Sequence, residues 1–573
     1  MLKVAVAKTL EVMADLLEVQ SDNPFQPRAF RNAARALEAV LEEELEGLLE
    51  ARQLTSIPGI GKSLETEILE LVKTGTSRRL RALRVAVPEG VKDMMRVPGL
   101  GPKKVRKIVQ GLGVTSLEAL KSACEEGQVA GVKGFGAKTE KNILEGIAYI
   151  GSVAGRYRID EALPQALSLL EHMKGSSAVQ RVSLGGSIRR GKETVKDIDI
   201  LTSSTQPEAV AEHFVGAPGV VTVVARGETK TSVRLSSGLA VDLRVVGDKQ
   251  FPVALQHFTG SKEHNTALRG IAKDRGLKLN EYGLFRGEKA LLIREEEDIY
   301  AELGLQLVAP EMREDRGEIA LARERSLPEL IQPTDLRGML HVHTDWSDGA
   351  TPLEEMVEAA RSRGYSYIGL TDHSQSAFYA GGLLPEKVRR QHAEIARLNA
   401  WVDGIRIFKG IESDIRPDGS LDYDADVLDL FDFVIASVHS SFNLTETVMT
   451  DRVLRAMEDP HTTFLGHPTG RLLLAREGFA INMDRVLEAA AALGVVVEIN
   501  ADPHRLDLDW RHGSRARELG VLTSINPDAH SPAGMDNVLY GVKIARKAGF
   551  SKGQVVNTLE VEQFEEFVAR RRR

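Results

Sequence analysis

The chain has 573 residues, 42% of them hydrophobic, and a formal net charge of −8. It is long enough for several packed domains and too acidic to coat DNA with a uniformly basic surface. Its single cysteine, Cys124, excludes a disulfide framework and a cysteine-ligated zinc site, which leaves histidine and carboxylate as metal ligands. No run approaches the ~18 uninterrupted apolar residues of a membrane span. The N-terminus enters an amphipathic pattern with Glu11 and Asp15 instead of a signal peptide. The expectation is a soluble cytoplasmic protein.

Residues 1–85 predict helices, from apolar spacings of three and four such as Leu10, Met13, Leu16 and Leu17, with Asn23-Pro24 and Pro27 marking the first break. Three similar segments then recur: Ile57-Pro58-Gly59-Ile60-Gly61-Lys62, Val97-Pro98-Gly99-Leu100-Gly101-Pro102-Lys103-Lys104, and Val132-Lys133-Gly134-Phe135-Gly136-Ala137-Lys138, the last without the proline. In each, glycines bring a hairpin backbone close to a phosphate, and the following helix N-terminus offers unpaired N–H groups. Lys62, Lys103, Lys104 and Lys138 add charge that reads no sequence. One such segment is an ordinary tight turn between helices. Three in one chain resemble the helix-hairpin-helix motif that grips a DNA backbone.

Next comes Leu184-Gly185-Gly186-Ser187-Ile188-Arg189-Arg190-Gly191-Lys192, followed by Asp197-Ile198-Asp199-Ile200-Leu201. Strand side chains alternate faces, so Asp197 and Asp199 point the same way. Two carboxylates on one face call for a hard divalent cation, Mg²⁺ or Mn²⁺. The turn at Gly186 and Ser187 lets backbone N–H groups meet phosphate oxygens, and Arg190 adds a planar fork. Asp242, alone in the apolar run 239–246, supplies the third carboxylate that two-metal phosphoryl transfer needs.

This G-G-S-x-R-R-G…D-x-D pattern looks like the palm signature of family X DNA polymerases, within the nucleotidyltransferase superfamily. The resemblance makes Asp197, Asp199 and Asp242 the catalytic metal ligands, with Asp242 on the nucleophile side. It extends to Gln256-His257-Phe258-Thr259-Gly260-Ser261 and onward to Arg269. There it implies that Phe258, Thr259 and Gly260 pack against the nucleotide sugar, that Asn265 meets the base edge and that Arg269 meets the template minor groove. His257 stands where the family usually has tyrosine. In the N-terminal lyase-type domain of the family, Glu67 falls where some members carry a Schiff-base lysine, with Ser63 one turn earlier. A carboxylate cannot form the imine, so lyase chemistry is expected to be absent or carried weakly by another lysine.

The charged segment 313–335 reads as an inter-domain linker. Ten of the 14 histidines fall from His341 onward. His341, His343, Asp348, His373, Glu412, His439, His467, Asp528 and His530 mostly follow short apolar runs separated by helical stretches, the layout of a βα barrel with its site at the strand ends. Nine such residues can hold up to three divalent ions, Mn²⁺ or Zn²⁺. The pattern looks like a PHP domain, a distorted TIM-like barrel that cleaves phosphate esters. Residues 377–385 and 500–510 are candidate substrate-facing loops, and His392, His461, His504 and His512 read as surface histidines.

Taken together, the chain resembles bacterial family X polymerases with a C-terminal PHP domain. The implied architecture is multidomain α+β and α/β: a helical lyase-like domain (1–85), a second helix-hairpin-helix unit (86–150), a palm (151–248), a nucleotide-selection subdomain (249–312), the linker, and the PHP domain (336–573). The implied activity is short-gap filling in DNA repair, with metal-dependent 3′→5′ exonuclease and cleavage at abasic sites in the PHP half. The implied partners are gapped or primer-template DNA and dNTPs, the location the nucleoid, the state a monomer. Two other readings compete. One is a nucleotidyltransferase on RNA or a small molecule fused to a phosphatase, which the three hairpins oppose. The other is a DNA-end-binding scaffold, which the intact acids and ligands oppose.

Overall fold

The computed structural model describes residues 2–571 apart from 22, 24 and 41. The N-terminal helices share one hydrophobic core that runs from Val6 to Ile150, so both hairpin-bearing units pack as a single body. The first break lies between the helices Leu2–Gln20 and Phe25–Ala39. Pro27 sits in the first turn of the second helix, where its missing N–H has no helical partner to lose; Pro24 lies outside the described residues. All three hairpins close alike: Ile60, Leu100 and Phe135 donate their N–H to Ile57, Val97 and Val132 at 3.1, 2.9 and 2.9 Å. Gly59, Gly99 and Gly134 take φ of +89°, +75° and +94°, a region other residues rarely adopt. The helices that follow, Lys62–Thr74, Pro102–Leu112 and Ala137–Val153, start on Gly61, Gly101 and Gly136, and no side chain caps them.

The palm is a five-stranded sheet with the order Arg181–Leu184, Asp197–Ser203, Ala240–Val246, Lys230–Leu235, Val220–Arg226. Its two central strands run parallel and place Asp199 directly beside Asp242. Val241, Leu243 and Val245 alternate into the core, which turns Asp242 and Arg244 to the opposite face. A helical subdomain with a three-stranded sheet follows, its core running from Val253 to Ala322.

The segment expected to be a linker is packed instead. Arg313 is fully buried, donating to Val308 O at 2.9 Å and Glu296 Oε1 at 2.6 Å, with its guanidinium 5.4 Å from the centre of the Tyr300 ring. Glu318, in the helix Glu318–Glu324, is buried against His264 Nδ1 at 2.6 Å. A run of charges suggested solvent, but Arg313, Glu314 and Glu318 each meet an opposite charge inside the fold.

The C-terminal half is a nearly closed barrel of seven parallel strands in sequence order, from Gly338–Val342 to Thr523–Asn526. Asn557 closes it. Its amide donates to Gly338 O on the first strand (3.2 Å) and Ile525 O on the last (3.0 Å), and its carbonyl accepts the Ile525 N–H (2.8 Å). His392 is not a surface residue: it is buried edge-on against Phe431, ring centres 4.9 Å apart.

The barrel packs directly on the palm. Residues 500–510, expected to face substrate, end in Trp510, whose Nε1 donates to palm Glu193 at 3.0 Å; Arg511 donates to the same carboxylate at 2.8 Å. Nearby, the buried Lys547 donates to Arg190 O and Glu311 O, both at 3.1 Å, and to Glu314 Oε1 at 2.5 Å. Arg546 reaches Glu311 Oε1 at 2.7 Å. Against its burial, Glu193 is pulled down to about 2 by Arg511 and Arg471.

Candidate active sites

The palm site is built by the two-residue strand period and one close approach. Gly185 N–H donates to Asp199 O at 2.8 Å, and Gly186 sits at φ +57° where a Cβ would lie 2.0 Å from Asp199 Oδ2. Only glycine lets the turn rest on the carboxylate. Burial, then Asp197 and Asp242, push the Asp199 carboxyl up to about 6. Asp242 is drawn aside by Lys230 (2.7 Å) and Ser232 (2.5 Å). Among the described residues, the metal-sized groupings of ligand atoms all lie in the barrel; the palm acids are neighbours without converging so tightly. A half-buried carboxylate with a proton affinity this high, next to two more, is a donor set suited to a hard divalent ion.

Several residues expected at the nucleotide are engaged by protein. Arg190 donates through Nε to Glu314 at 3.0 Å and through Nη1 to Thr259 O. Asn265 accepts from Gln256 at 2.7 Å and donates to His257 O at 2.8 Å. Arg269 lies 3.2 Å from His257 Nδ1, and Phe258 carries Arg244 over its ring at 4.3 Å. At the hairpins, Lys104 bends back to Gly99 O at 2.7 Å and Lys103 lies 3.7 Å from Glu18.

In the barrel, eight of the nine expected ligands fall into three groups, each with ligand atoms within 4.8 Å of one another: His343, Asp348, His373 and His530; His341, His343 and Asp528; His373, Glu412 and His439. The ninth, His467, lies 3.0 Å from Glu412. His341 Nε2, both nitrogens of His343, His373 Nδ1 and His467 Nδ1 are buried without a hydrogen bond. Such atoms are costly unless they hold an ion. Burial opposes charge on every member, yet Glu412 and Asp528 stay well below the usual carboxylate range beside the histidines. Against the same burial, Glu412 helps carry His373 up to about 11 and His439 to about 9. His343 is pushed down to about 4 by burial, with His530 and His373 adding to the effect. The mixed nitrogen and oxygen donors therefore fit divalent cations. His341, His467 and Asp528 sit at φ of +58°, +23° and +52°, strain that gathers at functional sites.

Sequence reasoning missed the residues that orient these ligands. Buried Glu498 pairs with His341 Nδ1 at 2.5 Å and accepts from His467 N–H at 2.7 Å and Asn526 at 2.9 Å. Asp414 pairs with His439 Nδ1 at 2.6 Å. Glu498 stands in an apolar strand, Val496–Asn500, much as Glu412 does in its own, and that shared setting was the available signal. Lys230, Glu314 and Lys547 carried no local signal.

A carboxylate-bearing palm behind helix-hairpin-helix units, joined to a histidine-rich barrel, defines a nucleotidyltransferase combined with a metallophosphoesterase. Family models match accordingly: a helix-hairpin-helix domain over residues 1–77, a SAM-like helix-hairpin-helix tandem over 91–148, the DNA polymerase beta thumb over 254–314 and the PHP domain over 339–502. The chain is 41% identical over 569 residues to the DNA polymerase/3′-5′ exonuclease PolX of Bacillus subtilis, covering 99% of each chain. It belongs to that PolX family. Its barrel half is 28% identical over 255 residues to a probable phosphatase of Thermoanaerobacter sp., covering 41% of this chain and 94% of that one. DNA polymerase lambda of Rattus norvegicus is 24% identical over 331 residues, 53% of this chain and 52% of its own.

Proposed function

We propose that the chain is a DNA-directed DNA polymerase that fills short gaps in repair, and that its barrel trims 3′ ends. The observation that supports this most is the pairing of Asp199 with Asp242 on adjacent parallel strands, under the Gly186 turn, in a chain that also carries three glycine-closed helical hairpins. Asp197, Asp199 and Asp242 hold Mg²⁺ or Mn²⁺, and the nine barrel ligands hold up to three Mn²⁺ or Zn²⁺ ions. When bound, these ions acidify the attacking hydroxyl or water and offset charge on the phosphate. Backbone N–H groups at Gly186 and Ser187 receive the triphosphate of a dNTP, with Arg190 adding positive charge beside them. Phe258, Thr259, Gly260, Asn265 and Arg269 line the nucleotide's path. Gly59, Gly61, Gly99, Gly101, Gly134 and Gly136, with Lys62, Lys103, Lys104 and Lys138, track the backbone of gapped DNA without reading its sequence. Glu67 leaves the lyase step without its amine. The setting is the cytoplasm, at the nucleoid, as a monomer.

The experiment is a labelled primer on a one-nucleotide gap with Mn²⁺, with and without dNTPs. Lengthening with dNTPs and shortening without them is expected; no change in either would return the small-substrate reading. Asp197→Ala abolishes lengthening and leaves shortening intact, because the barrel ligands are a separate set.

A further inference from the structure

Directly after the metal-cluster residue His373 the chain forms a one-turn helix, Phe378–Ala380. Phe378 and Tyr379 are 86% and 72% exposed. They are the only adjacent pair of exposed large aromatics among the described residues, in a chain only 5% aromatic. Solvent alone does not explain them, because the turn beneath is firmly held. Ala377 N–H donates to Ser374 O at 3.1 Å, Gly382 N–H to Ala377 O at 3.1 Å and Leu383 N–H to His373 O at 2.8 Å. Ser376 N–H and the Gln375 amide both bond to Asp422, at 2.7 and 2.6 Å. Ala377, Ala380 and Leu383 are buried. The two rings are thus displayed on a rigid base. The Tyr379 ring centre lies 6.2 Å from that of His373, at the rim of the cluster. Arg505 also stands 3.7 Å from Asp528, a cation suited to a phosphate oxygen. A phosphate bound in the cluster would leave its nucleoside about one sugar's reach from the Tyr379 ring, with Phe378 next to it in the chain.

We propose that Phe378 and Tyr379 form a stacking platform for the base of the 3′-terminal nucleotide, so that the barrel takes an unpaired DNA end and not a bare phosphate ester. This rests on the exonuclease reading. Every base has a π face, so such a platform tolerates any sequence. A base offers that face to a protein ring only once it leaves the duplex stack, which selects frayed or mispaired ends. In the cleavage itself, water's oxygen joins phosphorus and the bond to the preceding nucleotide's 3′ oxygen breaks. That oxygen takes up a proton, and the terminal nucleotide leaves as its 5′-monophosphate.

The test compares trimming of a single-stranded oligonucleotide ending in thymidine with one ending in an abasic tetrahydrofuran residue, using the full chain with Mn²⁺. The double substitution Phe378→Ala with Tyr379→Ala lowers kcat/KM on the thymidine end by about tenfold, carried by KM, and on the abasic end by about twofold or less. The exchanged pair, Phe378→Tyr with Tyr379→Phe, keeps the wild-type preference for the base. Primer extension by each variant reports that the chain has folded. Equal loss on both ends, or no loss on either, overturns the platform and leaves the exonuclease standing. If the unsubstituted chain trims neither end, the exonuclease reading falls and the platform with it.

Discussion

Asp199 holds its proton up to about pH 6, because burial and the facing carboxylates of Asp197 and Asp242 disfavour its charge. The ordinary value is 3.8, so the folded metal-free chain gains stability from this group below that pH and loses the gain as pH rises through about 6. A divalent ion must displace the proton, so its affinity falls as pH drops below about 6, by about tenfold per unit for one proton displaced. Mg²⁺ titrations of primer extension at pH 5 and pH 7 check this, and a metal requirement that does not move with pH contradicts it. In the barrel, Glu498→Gln keeps the shape but removes the charge that fixes His341. Its Mn²⁺ requirement for trimming rises about 10- to 100-fold, while primer extension stays unchanged. The residues that the structure gathers in the barrel were legible in the sequence, because most of them follow a short apolar run or sit in one. Glu498 shares its apolar-strand setting with Glu412 and was passed over, and for both Glu498 and Asp414 what they hold shows only across neighbouring strands.

A barrel with seven strands leaves a seam, and Asn557 fills it. All of its amide bonds link the first strand to the last. Asn557→Ala strands buried N–H and C=O groups on both sides and costs about 2 kcal/mol or more. Denaturant unfolding should show the loss, and exonuclease activity should fall with it, since His341 and Asp528 hang from those two strands. The seam lay beyond sequence reasoning for a physical reason: Asn557 is more than 200 positions from the strand it joins. The same limit explains segment 313–335. Composition shows that charges are present and not whether each is matched, and Arg313 with Glu296 and Glu318 with His264 are matched inside the fold. Local periodicity did carry the palm strands and the hairpins, where the determining contacts lie a few residues apart.

Across the whole molecule, the two catalytic halves meet on a charged and buried joint. Glu193, down at about 2 from an ordinary 4.5, contributes stability that is complete above about pH 4.5 and is lost as pH falls toward 2. Acid is therefore expected to loosen the palm from the barrel within that window. Trp510 donates to Glu193, so its fluorescence reports the opening. Glu193→Gln removes that pH dependence and gives a looser joint at neutral pH.

Lys547 lends this joint a further meaning. Its ammonium, held down to about 8 by burial, ends on the backbone carbonyl of Arg190, at the end of the Gly186 turn, and on the Glu314 that grips the Arg190 side chain. The polymerase half is therefore not severable. A fragment cut after residue 335 would lack Lys547, Trp510 and Arg511, leaving Glu193 and Glu314 without their barrel partners and the turn without its backing. Such a fragment should melt at a lower temperature than the full chain and bind dNTPs more weakly, although every palm acid is intact. The trimming barrel doubles as a buttress, and a lesion that breaks the joint is inherited by the polymerase half even when both sets of acids are intact.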